Sequence, residues 1–405
     1  MLHRLRVVAG IAACAVVLAG CGSDDDTGSS PTSTASAKTY PKTVAGVVEA
    51  SKAFLATLDA DEQKTAQLDL TEEQAAAWSN LPCGSTCRPG VMFGNLGAEQ
   101  VAAGKSVVAT ALGTGSGTGY QRVEQIFAAD GYLGSVQSSS GTGGMPTGGG
   151  MPGGSGGPGG MPGGSGGPGG GGMPGGSGGP GGGGGLGGYD SGNYYLAFLG
   201  EPSTTGTWQL HFGGHHLAVN LTYKAGKVEG ATPFFVGVEP TSWTDAEGTA
   251  HAPLKDMKDT MAALEAGLTA AEQGSAKLAE SYSDVLLGPG QDGKFPAKKA
   301  GVAAGSLTAD QQQLVLAAIR PWVANADDAT ATSLMSTYES ELGQTYVAWS
   351  GTLGLTKHAD YVRIDGPSVW VEFVCQNGVV LQNQIHYHTV YRDHTRDYGG
   401  EFTFG

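Results

Sequence analysis

The sequence predicts an α+β domain in which mixed helices pack on a largely antiparallel sheet, interrupted by a disordered glycine-rich insertion. Helical spacing dominates the first part of the chain, residues 43–133. Short aromatic or β-branched runs bounded by glycine and proline appear in residues 189–405. Because helices come first, and strands and helices mix afterwards without a repeating βαβ pattern, we expect the α+β class.

The first 21 residues, MLHRLRVVAGIAACAVVLAGC, have the form of an export signal, with Arg4 and Arg6 ahead of a short apolar run. That run is shorter than the roughly 20 apolar residues that span a bilayer. Its LAGC ending resembles the lipobox of bacterial lipoproteins, which predicts lipidation of Cys21 and anchoring on the extracytoplasmic side of the membrane. The alternative is plain secretion after cleavage nearby.

The chain is acidic, with 22 Lys and Arg against 37 Asp and Glu. Removing residues 1–20, which contain two arginines and no acidic residue, leaves 20 against 37 and a formal charge of −17. Such a surface repels phosphate backbones and argues against nucleic-acid binding. Residues 22–42, rich in Ser, Thr, Asp and Gly, predict a flexible tether. Besides the membrane, the expected partner is an unidentified small molecule or protein.

Helical periodicity supports the assignment of residues 43–133 as the helical first part of the domain. Apolar positions recur at helical spacing from Val44 to Leu58, and a second helix begins at DLTEEQAAAW, where Thr71 has the position of an N-cap. Two more helices are predicted, one over residues 98–112 and one around GYQRVEQIFAADGYL.

Three cysteines stay available in a mature lipoprotein, namely Cys83, Cys87 and Cys375. In an oxidising compartment, the segment CGSTC predicts a small disulfide loop between Cys83 and Cys87. The alternative is a pair of metal thiolates, but neither a second cysteine pair nor a close histidine supports it. Cys375 lies in an apolar strand-like run, which predicts a buried free thiol.

Residues 134–188 form a Gly-, Met- and Pro-rich insertion dominated by GMPGGSGGPGG. No strict Gly-X-Y triplet is kept, which excludes collagen. With almost nothing to bury, the segment does not offset the entropy of ordering itself, so we predict disorder. Its methionines also suit a soft cuprous ion, although low-complexity expansion explains them without any ligand.

Residues 189–405 are predicted to be the sheet-and-helix part of the same domain. NYYLAFLG, TWQLHFGGHHLAVNLTY and GATPFFVGV have the composition of strands. A long amphipathic helix is expected over 257–286, and another begins at SLTADQQQLVLAAI, with Thr308 and Gln311 at capping-box spacing and Pro321 disturbing or ending it. Strands return at DYVRIDG, SVWVEFVCQ and NQIHYHTVYR.

Histidines are the main chemical signal of the chain. Eight follow the export signal, and five of these lie in two strand-like segments, HFGGHHLAV and IHYHTVYRD. Since strand side chains alternate between faces, His386 and His388 share one face. The same rule places His216 on a polar face and His215 on an apolar one, although the preceding glycines can break the pleat and let both converge.

A carboxylate next to these histidines is predicted from a hairpin. Glu372 interrupts the apolar run VWVEFV and needs a partner. The strand that contains it precedes the His-x-His strand by a short connection, so the two are expected to pair. If the numbers of paired residues sum to 758 or 760, Glu372 faces His386 or His388.

Two or three imidazoles with one carboxylate suit a divalent ion such as zinc, iron or copper, and an open coordination position would permit an enzyme to activate water or oxygen. The predicted metal ligands are His216, His386, His388 and Glu372. The alternative from a different class is a surface-tethered binding protein whose cleft holds an organic ligand without catalysis. The predicted ligand contacts are His215, Asn220, Arg392 and Asp393. A third reading treats the histidines as purely structural.

Arg392 and Asp393 admit two readings. On the face of His386 and His388, Arg392 suits bidentate recognition of a substrate carboxylate or phosphate. The segment RDHTRDYG equally fits a charge-paired strand end, in which arginine and aspartate side chains form ion pairs within the protein.

Five segments in this order resemble the bacterial and fungal domain-of-unknown-function family 3500. They are CRPGVMFGNLGAEQ, WQLHFGGHHLAVNLTY, ATPFFVGVEP, YVRIDGPSVWVEF and IHYHTVYRDHTRDYGG. The resemblance covers nearly everything from residue 43 onward except the insertion, and its GHH-L-x-N and H-x-H-T-V-aromatic-R-D motifs include the candidate site residues. Members commonly have Trp and Arg before GHH, where this chain has Leu210 and His211. The resemblance groups these residues and implies no particular reaction.

Overall fold

The computed structural model describes residues 38–139 and 189–404. Within these ranges the helices are α1 Val44–Leu55, α2 Ala60–Ala66, α3 Glu72–Ala76, α4 Ala98–Ala111, α5 Gly119–Ser139, α6 Lys255–Gly267, α7 Ala270–Ala276, α8 Ala309–Val323 and α9 Asp328–Ser340. The strands before α6 are β1 Gln67–Leu68, β2 Val91–Met92, β3 Tyr195–Leu199, β4 Thr207–Gly214, β5 Leu217–Lys224, β6 Lys227–Gly230, β7 Phe234–Val238, β8 Trp243–Thr244 and β9 Ala250–His251. The later strands are β10 Val302–Ala303, β11 Tyr346–Ser350, β12 Tyr361–Asp365, β13 Val369–Asn377 and β14 Ile385–Asp393.

A twelve-stranded sheet organises the described residues, which all belong to one compact unit. Its strands lie in the order β1-β3-β4-β5-β7-β14-β13-β12-β11-β10, with β2 paired to β3 and β6 to β5. The β1–β3 pair is parallel, and the other pairs of the sheet are antiparallel. Helices packed on a largely antiparallel sheet confirm the predicted α+β class.

The two faces of the sheet are covered differently. The main apolar core joins the helices to strand residues such as Phe212, Val236 and Phe373. The opposite face, which we call the histidine face because His386 and His388 point to it, is covered by two segments without long helices, residues 77–90 and 277–301. Among the side chains in its small core are Trp78, Val285, Phe235, Tyr361, Val374 and Val390. The covering segments bring polar residues over the sheet.

Local sequence explains where several helices begin. Thr43 and Thr71 accept hydrogen bonds from the first turns of α1 and α3. Thr308 and Gln311 form the predicted capping box of α8, in which their side chains accept hydrogen bonds from two backbone N–H groups that otherwise lack a partner at a helix start. Pro321 does not end α8, because the helix contains it and continues to Val323.

The long helix predicted over 257–286 is wrong. Helix α6 ends at Gly267, Thr269 caps the short helix α7 with Glu272, and the chain then leaves helical geometry after Ala276. There the backbone N–H of Leu278 donates to the carbonyl of Trp349 at 2.8 Å, so the segment runs along the sheet. Leu278, Tyr282 and Val285 are packed on the histidine face, but from a segment of bends and turns, whereas Met257, Met261 and Leu264 on α6 are in the main core.

Helix α5 corrects the predicted start of the insertion at residue 134. The helix continues through Ser139, and the hydroxyls of Ser138 and Ser139 donate to carbonyls one turn earlier. A Cβ at Gly134 would lie 2.0 Å from the carbonyl oxygen of Tyr189, so this glycine permits close packing of the returning chain. The rest of the predicted insertion, residues 140–188, lies outside the described residues, as do the export signal, Cys21 and most of the tether.

No helix in residues 38–139 and 189–404 is long and apolar enough to cross a bilayer.

Candidate functional site: a buried histidine cluster

His215 and His216 form the two-residue turn of the β4–β5 hairpin. Gly214 pairs with Leu217 across the turn, which leaves only the two histidines between the strands. The strand alternation predicted for them therefore does not apply, and their ring centroids lie 3.6 Å apart. The two histidines therefore converge where the pleat breaks after the glycines, which was the alternative prediction.

His386 and His388 share one face of β14, as predicted. Their ring centroids are 4.7 Å apart and their Nε2 atoms 3.2 Å apart. Strand β7 lies beside β14 and places Gly237 directly opposite His388. The N–H of Gly237 also donates to the carbonyl of His216 at 2.9 Å, which ties the hairpin turn to the same place on the sheet.

Gly237 provides the space in which the two halves of the cluster meet. A Cβ at this position would lie 2.8 Å from Cδ2 of His216 and 2.8 Å from Cδ2 of His388. Any residue with a side chain would therefore push both imidazoles away. A glycine within an apolar strand run, FFVGV, is the sequence signal for such a close approach, and it was missed.

The cluster consists of His216, His386 and His388. One ring nitrogen of each lies within 4.8 Å of those of the other two. All three residues are buried, at 0%, 2% and 5% exposure respectively. Within residues 38–139 and 189–404, no further His, Cys, Asp or Glu joins this group.

Two of the three imidazoles, those of His216 and His388, are oriented by a carboxylate at their Nδ1 atoms. Nδ1 of His216 lies 2.7 Å from Oδ1 of Asp130 on α5, whose other oxygen accepts from the Tyr194 hydroxyl. Nδ1 of His388 lies 3.0 Å from Oδ1 of Asp284. Nδ1 of His386 is buried and has no hydrogen-bond partner among the described residues. The two carboxylate contacts leave Nε2 of His216 and His388 facing the cluster. Nε2 of His216 has no hydrogen-bond partner among the described residues.

Burial favours the neutral form of His386 and His388. Desolvation, reinforced by the neighbouring His388 and His216, lowers the pKa of His386 to about 2. Burial also lowers the pKa of His388, although its hydrogen bond to Asp284 acts in the opposite direction. A neutral imidazole has a lone pair available for a metal ion.

Asp130 and Asp284 were not predicted from the sequence. Asp130 falls in the apolar stripe of α5 with Val123, Ile126 and Leu133, and a charged residue in such a stripe is a usable signal. Asp284 lies in the segment that was wrongly predicted as helix, so its position could not be inferred. Its side chain is 43% exposed and marks the solvent side of the cluster.

The disulfide loop helps to hold the solvent side of the histidine cluster in place. Cys83 and Cys87 form a disulfide, and Arg88 donates to the carbonyls of Ser79 and Leu81. The residue between those carbonyls, Asn80, donates to Oδ2 of Asp284 at 3.1 Å. The loop therefore holds Asn80 against the carboxylate that orients His388.

Glu372 is not beside the histidines. It pairs with Val390, while His388 pairs with Val374 and His386 with Gln376, so the residue numbers sum to 762. The predicted even sum was correct, so Glu372 lies on the histidine face. The actual register, however, places Glu372 two residues before Val374, the residue of β13 that pairs with His388. The oxygens of Glu372 instead accept hydrogen bonds from Leu286 N, Leu287 N, Trp370 Nε1 and Tyr361 OH.

Arg392 also lies away from the cluster. It is four residues from His388 on β14, which corresponds to roughly 13 Å along a strand. Its guanidinium donates to Asp292 and Asp397, each at 2.9 Å, and to the carbonyl of Leu287. These bonds fit the charge-paired reading of the strand end and contradict the predicted ligand contact.

Asp393 and Asn220 likewise have internal partners. Asp393 accepts hydrogen bonds from the Tyr338 hydroxyl and from Arg396. Asn220 accepts from Gln209 and donates to the carbonyl of Pro233. Neither side chain is brought to the histidine cluster.

His215 is the member of the predicted ligand set that does lie near the cluster. It forms a second group with Asp130 and His216 whose candidate atoms lie within 4.8 Å of one another. Tyr189 packs edge-on against the His215 ring, with centroids 4.6 Å apart. This half-buried histidine therefore flanks the histidine cluster.

These features define a class of protein: an α+β domain with a buried histidine cluster that has the composition of a metal site. The chain belongs to the family described as Protein of unknown function (DUF3500), whose model matches residues 41–400. Searches of curated proteins and of solved structures gave no match.

Replacing Gly237 by alanine tests the packing of the cluster. We expect Gly237→Ala to lower the free energy of unfolding by about 1–3 kcal/mol, the usual cost of overpacking a core, and to weaken zinc binding by about tenfold or more. Chemical denaturation and chelator competition measure the two effects. Gly274→Ala is the matched control, because nothing lies within 4 Å of its Cβ position. Unchanged zinc affinity in Gly237→Ala would contradict the described geometry.

Proposed function

We propose that this protein is an extracytoplasmic lipoprotein that binds one divalent transition-metal ion through His216, His386 and His388, and that it is a metal-dependent enzyme. One observation carries the proposal: three buried imidazoles each bring a nitrogen within 4.8 Å of those of the other two, and two of them, His216 and His388, have a carboxylate at Nδ1. Such outer partners fix ring orientation and raise ligand basicity in metal sites.

The nitrogen spacing supports a shared ion. Two nitrogens at about 2.05 Å from zinc, at a near-tetrahedral angle, are about 3.3 Å apart. The Nε2 atoms of His386 and His388 are 3.2 Å apart. His216 adds an Nε2 that lacks a partner among the described residues, which is costly for a buried polar atom unless a ligand occupies the site. An all-imidazole donor set suits zinc, copper, iron or nickel.

The number of ligands favours catalysis over a structural role. Structural zinc sites are closed by four protein ligands, whereas catalytic sites have three and keep one position for water or substrate. The described residues offer three. A bound ion with an open position would supply Lewis acidity and lower the pKa of a coordinated water. Asp284, half-exposed and bonded to His388, lies where solvent can reach the site.

Binding an organic ligand without catalysis is the competing function. It depended on a cleft shared by the histidines, Arg392 and Asp393. Both charged residues have internal partners away from the cluster, which removes the basis for that form of the proposal.

Location at a membrane is supported by residues 1–21 alone. The LAGC ending predicts cleavage before Cys21 and lipidation of its thiol. Mass spectrometry of the N-terminal peptide from the native host tests this part separately. A diacylglyceryl group on Cys21 supports the anchor, and an unmodified or absent Cys21 contradicts it.

Elemental analysis tests the metal proposal. Protein purified without a histidine tag and reconstituted with zinc is expected to retain about one equivalent of metal per chain after gel filtration. Near-zero retention of zinc, copper and iron alike would contradict the proposal, because a preformed neutral imidazole site should bind at least one of them.

A further inference from the structure

Arg363 on β12 is a buried arginine without a hydrogen-bonded partner. The residue is 3% exposed, and its Nε is fully shielded and has no acceptor among the described residues. Its one direct contact of note is with Trp370, whose ring centroid lies 5.0 Å from the guanidinium carbon. A guanidinium has five N–H donors and keeps its charge in proteins, so leaving it without acceptors is expensive.

The nearby carboxylates do not satisfy Arg363. Glu372 is directly opposite in the sheet, but both its oxygens accept hydrogen bonds from other groups. Asp365, two residues along β12, accepts from Lys299 and His394 through one oxygen. Neither forms an ion pair with Arg363 in the described part of the chain, although both act on it electrostatically. No described residue accepts a hydrogen bond from the guanidinium, and its buried Nε stays without an acceptor.

Half-buried aromatic rings pack on Trp370 and Tyr361, the aromatic residues beside this guanidinium. Phe295 packs edge-on against Trp370 with centroids 5.8 Å apart. Tyr282 stacks on Tyr361 at 4.2 Å on the neighbouring row of the sheet. Tyr282 and Phe295 both belong to the segment 277–301 that covers the histidine face. An occupant would therefore reach Arg363 between rings of this segment.

We infer that Arg363 is the anchor of a second binding site, which takes the carboxylate group of a small monoanionic ligand. The planar fork of a guanidinium matches a carboxylate with two parallel hydrogen bonds. A doubly charged phosphate fits less well, because Glu372 and Asp365 already place negative charge near the site. The flanking rings suit the apolar body of an organic acid.

This site is independent of the histidine cluster. Arg363 lies two strands away from β14, at the level of Val390, which is two residues after His388. This corresponds to roughly 12 Å between the backbones of Arg363 and His388. The inference holds whether or not a metal binds to the imidazoles.

Thermal unfolding with acetate, at constant ionic strength, tests the site. Wild-type protein is expected to show a saturable rise in Tm with acetate, following the mass-action stabilisation of a bound native state. Acetamide, the neutral isostere, and inorganic phosphate are expected to give no saturable rise. The acetate response should persist in His388→Ala, which separates it from acetate bound to a metal.

Two variants complete the experiment. Arg363→Met removes the donors and Arg363→Lys keeps the charge without the fork, and both are expected to lose the acetate-dependent shift. The comparison uses the change in Tm with acetate, so a different starting stability does not affect it. An acetate response that is absent in wild type, matched by acetamide or unchanged in Arg363→Met would overturn the inference. Should neither variant fold, the wild-type comparison of acetate with acetamide decides it.

Discussion

A His388→Ala variant is expected to bind zinc more than about 100-fold more weakly than the wild-type chain. Removing an outer hydrogen-bond partner of a metal ligand costs about 10–100-fold in affinity, and removing the ligand itself should cost more. Asp130→Asn is therefore expected to fall between the two, since it weakens only the group that orients His216. Competition with a chromophoric chelator measures all three affinities.

His358→Ala is the control for these measurements, because His358 is exposed and belongs to no candidate group. It should bind zinc as the wild type does. The ranking of the variants is decisive: equal affinity in His388→Ala and wild type would show that the metal lies elsewhere, even if one equivalent is bound.

Arg392→Met is expected to lower the free energy of unfolding by about 3–5 kcal/mol, the range found when one partner of a buried ion pair is removed. Arg392 is fully buried, and the change would leave Asp292 and Asp397 without their shared cation. The carbonyl of Leu287, in the segment covering the histidine face, would lose its donor as well. Urea denaturation followed by far-ultraviolet circular dichroism measures the loss.

Arg320→Met provides the comparison for this prediction. Arg320 is an exposed residue of α8, so its replacement should change stability by less than about 0.5 kcal/mol. If Arg392→Met were as stable as Arg320→Met, the charge-paired role of Arg392 would be wrong.

The histidine cluster could be predicted because the positions of its members follow from simple chain geometry. Two histidines separated by one residue in a strand must share a face, so His386 and His388 followed directly from the pattern. His216 was reached less directly, because its geometry depends on a two-residue turn rather than on strand alternation. The helical first part and the capping box at Thr308 were likewise local features.

What the sequence did not reveal depends on register and on distant contacts. Glu372 was placed beside the histidines by registers that differ by two or four residues from the actual one, and a strand pattern alone does not determine the length of the connecting loop. Asp130 lies 86 positions before His216, and Asp284 lies 104 before His388. Such pairings arise only when the helix and the covering segment pack on the sheet.

The long helix predicted over 257–286 shows a different limit. Leu278, Tyr282 and Val285 pack on the histidine face, as expected of an apolar stripe, but the backbone there is non-helical and bonds to the sheet at Leu278. Periodicity therefore identified which residues are buried and failed to identify the backbone conformation. The capping box at Thr269 and Glu272 was the local sign that a new, short helix begins there.

X-ray absorption at the zinc edge tests the shared-metal site most directly. Zinc-loaded protein is expected to show three imidazole nitrogens at about 2.0–2.1 Å and one oxygen ligand from solvent. In His386→Ala, the imidazole count should fall or the metal should be lost. A spectrum with sulfur ligands, or with three imidazoles retained in His386→Ala, would contradict a site built from His216, His386 and His388.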